Sequence, residues 1–155
     1  MATTQSPMRQ LLMDQAVDTA LTMTAQMFGL PKETVTKIVQ VGLPLMAKMA
    51  DENPALLKAL YAQSAKLLPE PIQQFYAKLA ENPEAQQAMV EEFKTMVGPM
   101  MESLDRETAR ATGTTEEQAG NVLATAYPAV ARTLNADASA RTDAGFGKRL
   151  KDLAA

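Results

Sequence analysis

The stretch that decides the fold is GTTEEQAGNVLATAYPAV, Gly113 to Val130. Gly113 is a helix-stop residue, and Thr114 with Glu117 has the spacing of a capping box. Ala119, Val122, Leu123, Ala126, Tyr127 and Val130 then recur at steps of three and four, the buried side of an amphipathic helix. Pro128 falls where that helix is still running. A proline there lacks its amide donor and displaces the carbonyl four residues back, here Ala124, at a cost of about 3 kcal/mol in a straight helix. A structural reason for keeping it is therefore needed.

The same device stands 84 residues earlier, in GLPKETVTKIVQVGLPLMAKM from Gly29. Without a gap, Gly29 falls on Gly113, Glu33 on Glu117 and Pro44 on Pro128. Ile38 and Val39 fall on Val122 and Leu123, and Met46 on Val130. Upstream, Val17 falls on Met101, and Thr24 and Ala25 on Thr108 and Ala109. The constant glycine-to-proline spacing and the matched apolar phase predict an internal duplication, residues 12–51 and 96–135. Each copy reads as a helix ending at Gly, a tight turn, and a second helix bent at Pro44 or Pro128.

The rest of the chain is punctuated in the same language. Ser6-Pro7 opens a helix that should run to Phe28, with Met8, Leu12, Met13, Val17 and Leu21 on its face. Asn53-Pro54 and Asn82-Pro83 are Asn caps followed by Pro at the first helical position. Pro69-Glu70-Pro71 ends the helix begun at Asn53, and Ile72 to Leu79 forms a short one. A helix from Pro83 to Ala111 would be about 43 Å long; Gly98-Pro99 should kink or split it. No segment alternates at period two for long enough to form a sheet. The expectation is an all-α, single-domain bundle of six or seven proline-kinked helices over 1–155, with 136–155 as a semi-independent tail helix behind a Gly145-Phe146-Gly147 hinge.

The pattern around Gly113, Thr114, Thr115, Glu116, Glu117, Gln118, Ala119, Val122, Leu123, Pro128 and Val130 resembles the bacterial YidB-like family and the related domain of unknown function 937 group. Gly29-Leu30-Pro31-Lys32-Glu33 and Pro44 echo it. The resemblance implies a helical bacterial protein and carries no activity, cofactor or catalytic residue.

Composition narrows the chemistry. The chain has no His and no Cys, which removes most metal sites and the Ser-His and Cys-His nucleophiles. Ser64, Ser103 and Ser139 have no base but Lys. No phosphate-cradling glycine loop or nucleophile elbow occurs. The acidic groups Glu91-Glu92 and Glu102, Asp105, Glu107 read as solvated helix faces, with Glu102 and Arg106 at salt-bridge spacing. A net charge of −3 argues against nucleic acid. The N-terminal segment is interrupted by Arg9, Asp14 and Asp18, and no apolar run approaches the roughly 18 residues of a membrane span. A cytoplasmic setting is the expectation.

Eleven methionines stand out beside only four Phe and three Tyr. Their first reading is core packing in irregular gaps. The alternative is a deformable groove, for which Met46, Met49, Met96, Met100 and Met101 are the candidates, near the break at Pro99. Lys148, Arg149 and Lys151 form a basic tail that could dock on an acidic surface of protein or lipid. These features favour a non-catalytic interaction module, a scaffold, adaptor or accessory subunit whose partner is another protein or itself. A carrier of lipid or pigment in the Met-lined groove is the alternative. No cofactor, metal or catalytic residue is assigned.

Overall fold

The computed structural model describes residues 7–66, 72–135 and 143–153. Within them the protein is all-α, with no strand. The elements are α1 (Pro7–Met13), α2 (Gln15–Phe28), α3 (Lys32–Glu52), α4 (Pro54–Lys66), α5 (Ile72–Glu81), α6 (Pro83–Val97), a 3-10 turn (Gly98–Met100), α7 (Met101–Thr112), α8 (Glu116–Asn135) and α9 (Asp143–Asp152). The Ser6 cap, the Pro69-Glu70-Pro71 break and the connector over 136–142 lie outside the described residues.

Nine helices among the described residues exceed the expected six or seven because two long ones are divided. Asp14 divides the first. Its backbone is extended, and its carboxylate accepts hydrogen bonds from the Ala16 and Val17 amides at 2.9 and 3.3 Å, so it caps α2. The phase shifts at this break: Leu11 is buried, while Met13, expected on the inner face, is 65% exposed. Gly98 divides the other. Its φ of 65° with ψ of −137° suits only glycine, and Pro99 lies in the 3-10 turn that follows. The two Asn caps form as expected: Asn53 accepts from Ala55 and Leu56, Asn82 from Ala85.

The duplication is visible at the level of single hydrogen bonds. Gly29 and Gly113 are both left-handed, at φ 64° and 69°. Leu30 donates its amide to the Ala25 carbonyl at 3.0 Å, and Thr114 donates to Ala109 at 3.1 Å. These are equivalent six-to-one C-caps. Burial follows the same register. Val35, Ile38, Val39, Leu43, Met46 and Ala47 are buried, and so are Ala119, Val122, Leu123, Tyr127, Val130 and Ala131. Packing is reciprocal: α2 lies on α8, α3 on α7, and the two proline-bearing helices α3 and α8 on each other. Their contact is close, since a Cβ at Gly42 would stand 2.5 Å from a Leu123 methyl. We expect Gly29→Ala and Gly113→Ala each to cost about 1 kcal/mol, because nothing lies within 4 Å of either added methyl and only the backbone is strained. Urea midpoints of the two variants check this; clearly unequal losses would deny the equivalence of the caps.

Three further expectations are corrected. The capping box at α8 sits one residue later: Thr115 Oγ accepts from the Gln118 amide at 3.0 Å, and the Gln118 side chain accepts from the Thr115 amide at 3.1 Å. Thr114 is already spent on the C-cap of α7. Next, α8 is not one-sided. Every residue from Val122 to Ala131 is buried, because α2, α3, α4, α6 and α7 all pack on it. Finally, the tail is not semi-independent. α9 packs on α3, α4 and α8 with Leu150 and Leu153 in the core. Gly147 is helical rather than a hinge, and a Cβ there would meet a Leu57 methyl at 2.9 Å.

Near the proline of α8, Tyr76 reaches the helix backbone. This side chain is fully buried, and its hydroxyl donates to the Thr125 carbonyl at 2.5 Å. Thr125 lies three residues before Pro128, one residue on from the Ala124 carbonyl that the proline leaves without its helical donor. α5 thus reaches the backbone of α8 beside its proline. Burial pushes the Tyr76 phenol well above the ordinary tyrosine range, with the Ala129 backbone pulling weakly the other way.

Candidate functional site

The residues singled out in the sequence do not gather into one site. Met46 is completely buried and Met101 nearly so; both belong to the core. Each sits on the inner face of its helix in the duplicated register; Met46 has no exposed surface, and Met101 shows only an edge to a cleft. Met49, Met96 and Met100 are half-buried and pack against that core. Asn53 points its amide at the Met100 sulfur, 3.9 Å away, which ties that methionine to the start of α4. The Met-lined groove is therefore reduced to three flanking side chains around a filled interior. Pro44 and Pro128 lie inside continuous helices, and Pro99 follows the break after α6.

The basic tail is partly engaged within the chain. Lys151 stands 3.7 Å from Asp51 of α3, both well exposed, an ion pair worth little in water. Lys148 is exposed and lines a cleft of about 320 Å³ with Leu57, Asp51 and Lys151.

The most informative departure is Asp105. It was grouped with Glu102 and Glu107 as a solvated face; Glu102 and Glu107 are exposed, but Asp105 is only 9% exposed. In the duplicated register it occupies the place of Leu21, which is buried in α2. A carboxylate thus replaces an apolar core residue in one copy only. Its surroundings change with it. Gly120 stands where the first copy has Thr36, and a Cβ on Gly120 would come within 2.7 Å of Asp105 Oδ2. The missing methyl is what gives the carboxylate its room.

Asp105 Oδ1 is shut off from solvent and has no hydrogen-bond partner. An orphaned buried acceptor of this kind costs about 1–3 kcal/mol. Burial pushes the carboxyl up to about 7; Lys94 on α6 pulls it down, and Glu116 on α8 pushes it further up. The residue lines an open cleft of about 480 Å³ between α7 and α8, together with Lys94, Met101, Glu102, Glu116 and Glu117. Arg106 closes one edge, with Glu102 at 2.8 Å and Glu116 at 3.9 Å. No group of three or more acidic, His or Cys side chains among the described residues could hold a metal ion. None of the described helices is long and apolar enough to cross a membrane. The signal in the sequence was Leu21 opposite Asp105 within the repeat. Read as a helix face, α7 is so polar that the acid looks ordinary.

With this geometry in hand, comparison adds no name. The chain matches no protein-family model, no curated protein and no solved structure.

Proposed function

We propose that the chain is a non-catalytic protein–protein interaction module of the bacterial cytoplasm, a small scaffold, adaptor or accessory subunit. The proposal places it with the YidB-like group on the repeated Gly-to-Pro unit of Gly29–Pro44 and Gly113–Pro128. The observation that carries it is Asp105. In a duplicated core, a buried and unpartnered carboxylate at the place of Leu21 lowers stability, and a surface cleft opens above it. Sites that cost stability without helping the fold are where function concentrates. Recognition is the reading this cleft favours, since beside its carboxylates its lining offers Lys94, Met101 and Gly120 and no hydroxyl, thiol or imidazole nucleophile. A carrier role draws less support, because Met46 and Met101 are spent on the core.

The test is capture from an extract of the source cells with the intact chain as bait, followed by reconstitution of any candidate complex from purified components. Native mass spectrometry should then show a stoichiometric complex, or a defined homo-oligomer of the chain alone. A strict monomer that forms no complex with any captured protein would overturn the proposal.

A further inference from the structure

We infer that the cleft between α7 and α8 receives an ammonium or guanidinium group carried on an aliphatic stem, the side chain of a partner's lysine or arginine. This rests on the interaction-module reading and names the chemistry through which it would work.

The charge balance of the cleft comes first. Glu102, Asp105, Glu116 and Glu117 line it against Lys94, with Arg106 at the rim. Low-dielectric walls focus such a field, so a cation is drawn in and an anion repelled. The rim already holds a group of the right kind: the Arg106 guanidinium spans Glu102 on α7 and Glu116 on α8. Deeper in, the Asp105 carboxylate has no hydrogen-bond donor: Oδ1 is shut off, and Oδ2, beside Gly120, is the oxygen turned to the cleft. A donor reaching Oδ2 would give the unpartnered carboxylate a charge-assisted hydrogen bond, about twice as strong as a neutral one.

The form of the ligand follows from the walls. Acidic groups are not spaced to hold a metal ion among the described residues, which favours an organic cation. Met101 shows an apolar, polarisable edge to the cleft, and Gly120 has no side chain to crowd the carboxylate. These suit a methylene stem ending in a polar head. The first hairpin, with Leu21 and Thr36 at the equivalent places, has neither the acid nor the glycine. The receptor belongs to the second copy alone.

The experiment is an amide-resolved NMR titration of the full chain with butylammonium, butylguanidinium and a short lysine-containing peptide, with butanol as the uncharged control. We expect saturable shifts centred on Asp105 and Gly120 for the cations and none for butanol. Asp105→Asn should weaken binding by roughly tenfold to a hundredfold. Asp105→Leu, which restores the first copy's residue and should stay folded, should abolish it. Shifts that fail to saturate, or that persist in Asp105→Leu, overturn the inference. The protein arm separates the two readings. A reconstituted partner that binds wild type and Asp105→Leu equally refutes the cation receptor and leaves the module standing. Amine binding that Asp105→Leu abolishes, with no partner found, upholds the receptor for a free amine and retires the module.

Discussion

Tyr127→Ala is expected to lose about 4–6 kcal/mol of folding stability, close to the whole margin of an ordinary domain. Tyr127 is 1% exposed and among the largest fully buried side chains. Its ring lies 5.7 Å from that of Phe93, and its hydroxyl donates to the Leu60 carbonyl at 2.7 Å. One residue therefore ties α8 to α6 and α4. Truncation removes the ring and its hydroxyl's hydrogen bond, and leaves a cavity that a tightly packed α8 cannot close. Tyr127→Phe keeps the ring and should cost only about 1–2 kcal/mol. Leu43, its counterpart in the first hairpin, is buried to the same degree but has no hydroxyl; Leu43→Ala should cost about 2–5 kcal/mol. Urea denaturation of the three variants gives the ranking. A loss below about 2 kcal/mol for Tyr127→Ala would mean that the ring does not hold α8 to α4 and α6.

Asp105 should make the protein less stable as pH rises from about 4 to about 7. Its carboxyl is raised from an ordinary 3.8 to about 7 in the folded chain, chiefly by burial. Between those values the folded state binds more protons than the unfolded state, so stability falls with pH across the window and levels off above it. The full shift corresponds to about 4 kcal/mol; the cleft is open to solvent and salt, which reduces the expected loss to about 2 kcal/mol. Asp105→Asn cannot titrate and should lack this slope, while Asp105→Leu should exceed wild type at pH 8 by about 2 kcal/mol. Urea midpoints at pH 5 and pH 8 for the three proteins suffice. Parallel pH dependence of wild type and Asp105→Asn would remove the buried carboxylate from the account.

The helical class and the twin hairpins were legible because their signals are local. A glycine free to adopt positive φ ends α2 and α7, an Asn before Pro starts α4 and α6, and apolar residues recur at helical spacing between them. None of these needs a distant partner. Where a local signal was shared between neighbours, the reading slipped by a residue, as at Thr114 and Thr115, because the C-cap of α7 had first claim on Thr114. What the tertiary structure alone decided is which ordinary residues are surrounded. The small side chains Ala124, Thr125 and Ala129 carry almost no hydrophobic signal, yet their size is what lets the surrounding helices close around α8. Tyr76 finds the Thr125 carbonyl across 49 positions of chain, a meeting that no periodicity encodes. Asp105 looks solvated on a helix as polar as α7, and only the packing of α8 and Gly120 against it takes its water away. Burial is a property of neighbours, and neighbours distant in sequence are set by the fold.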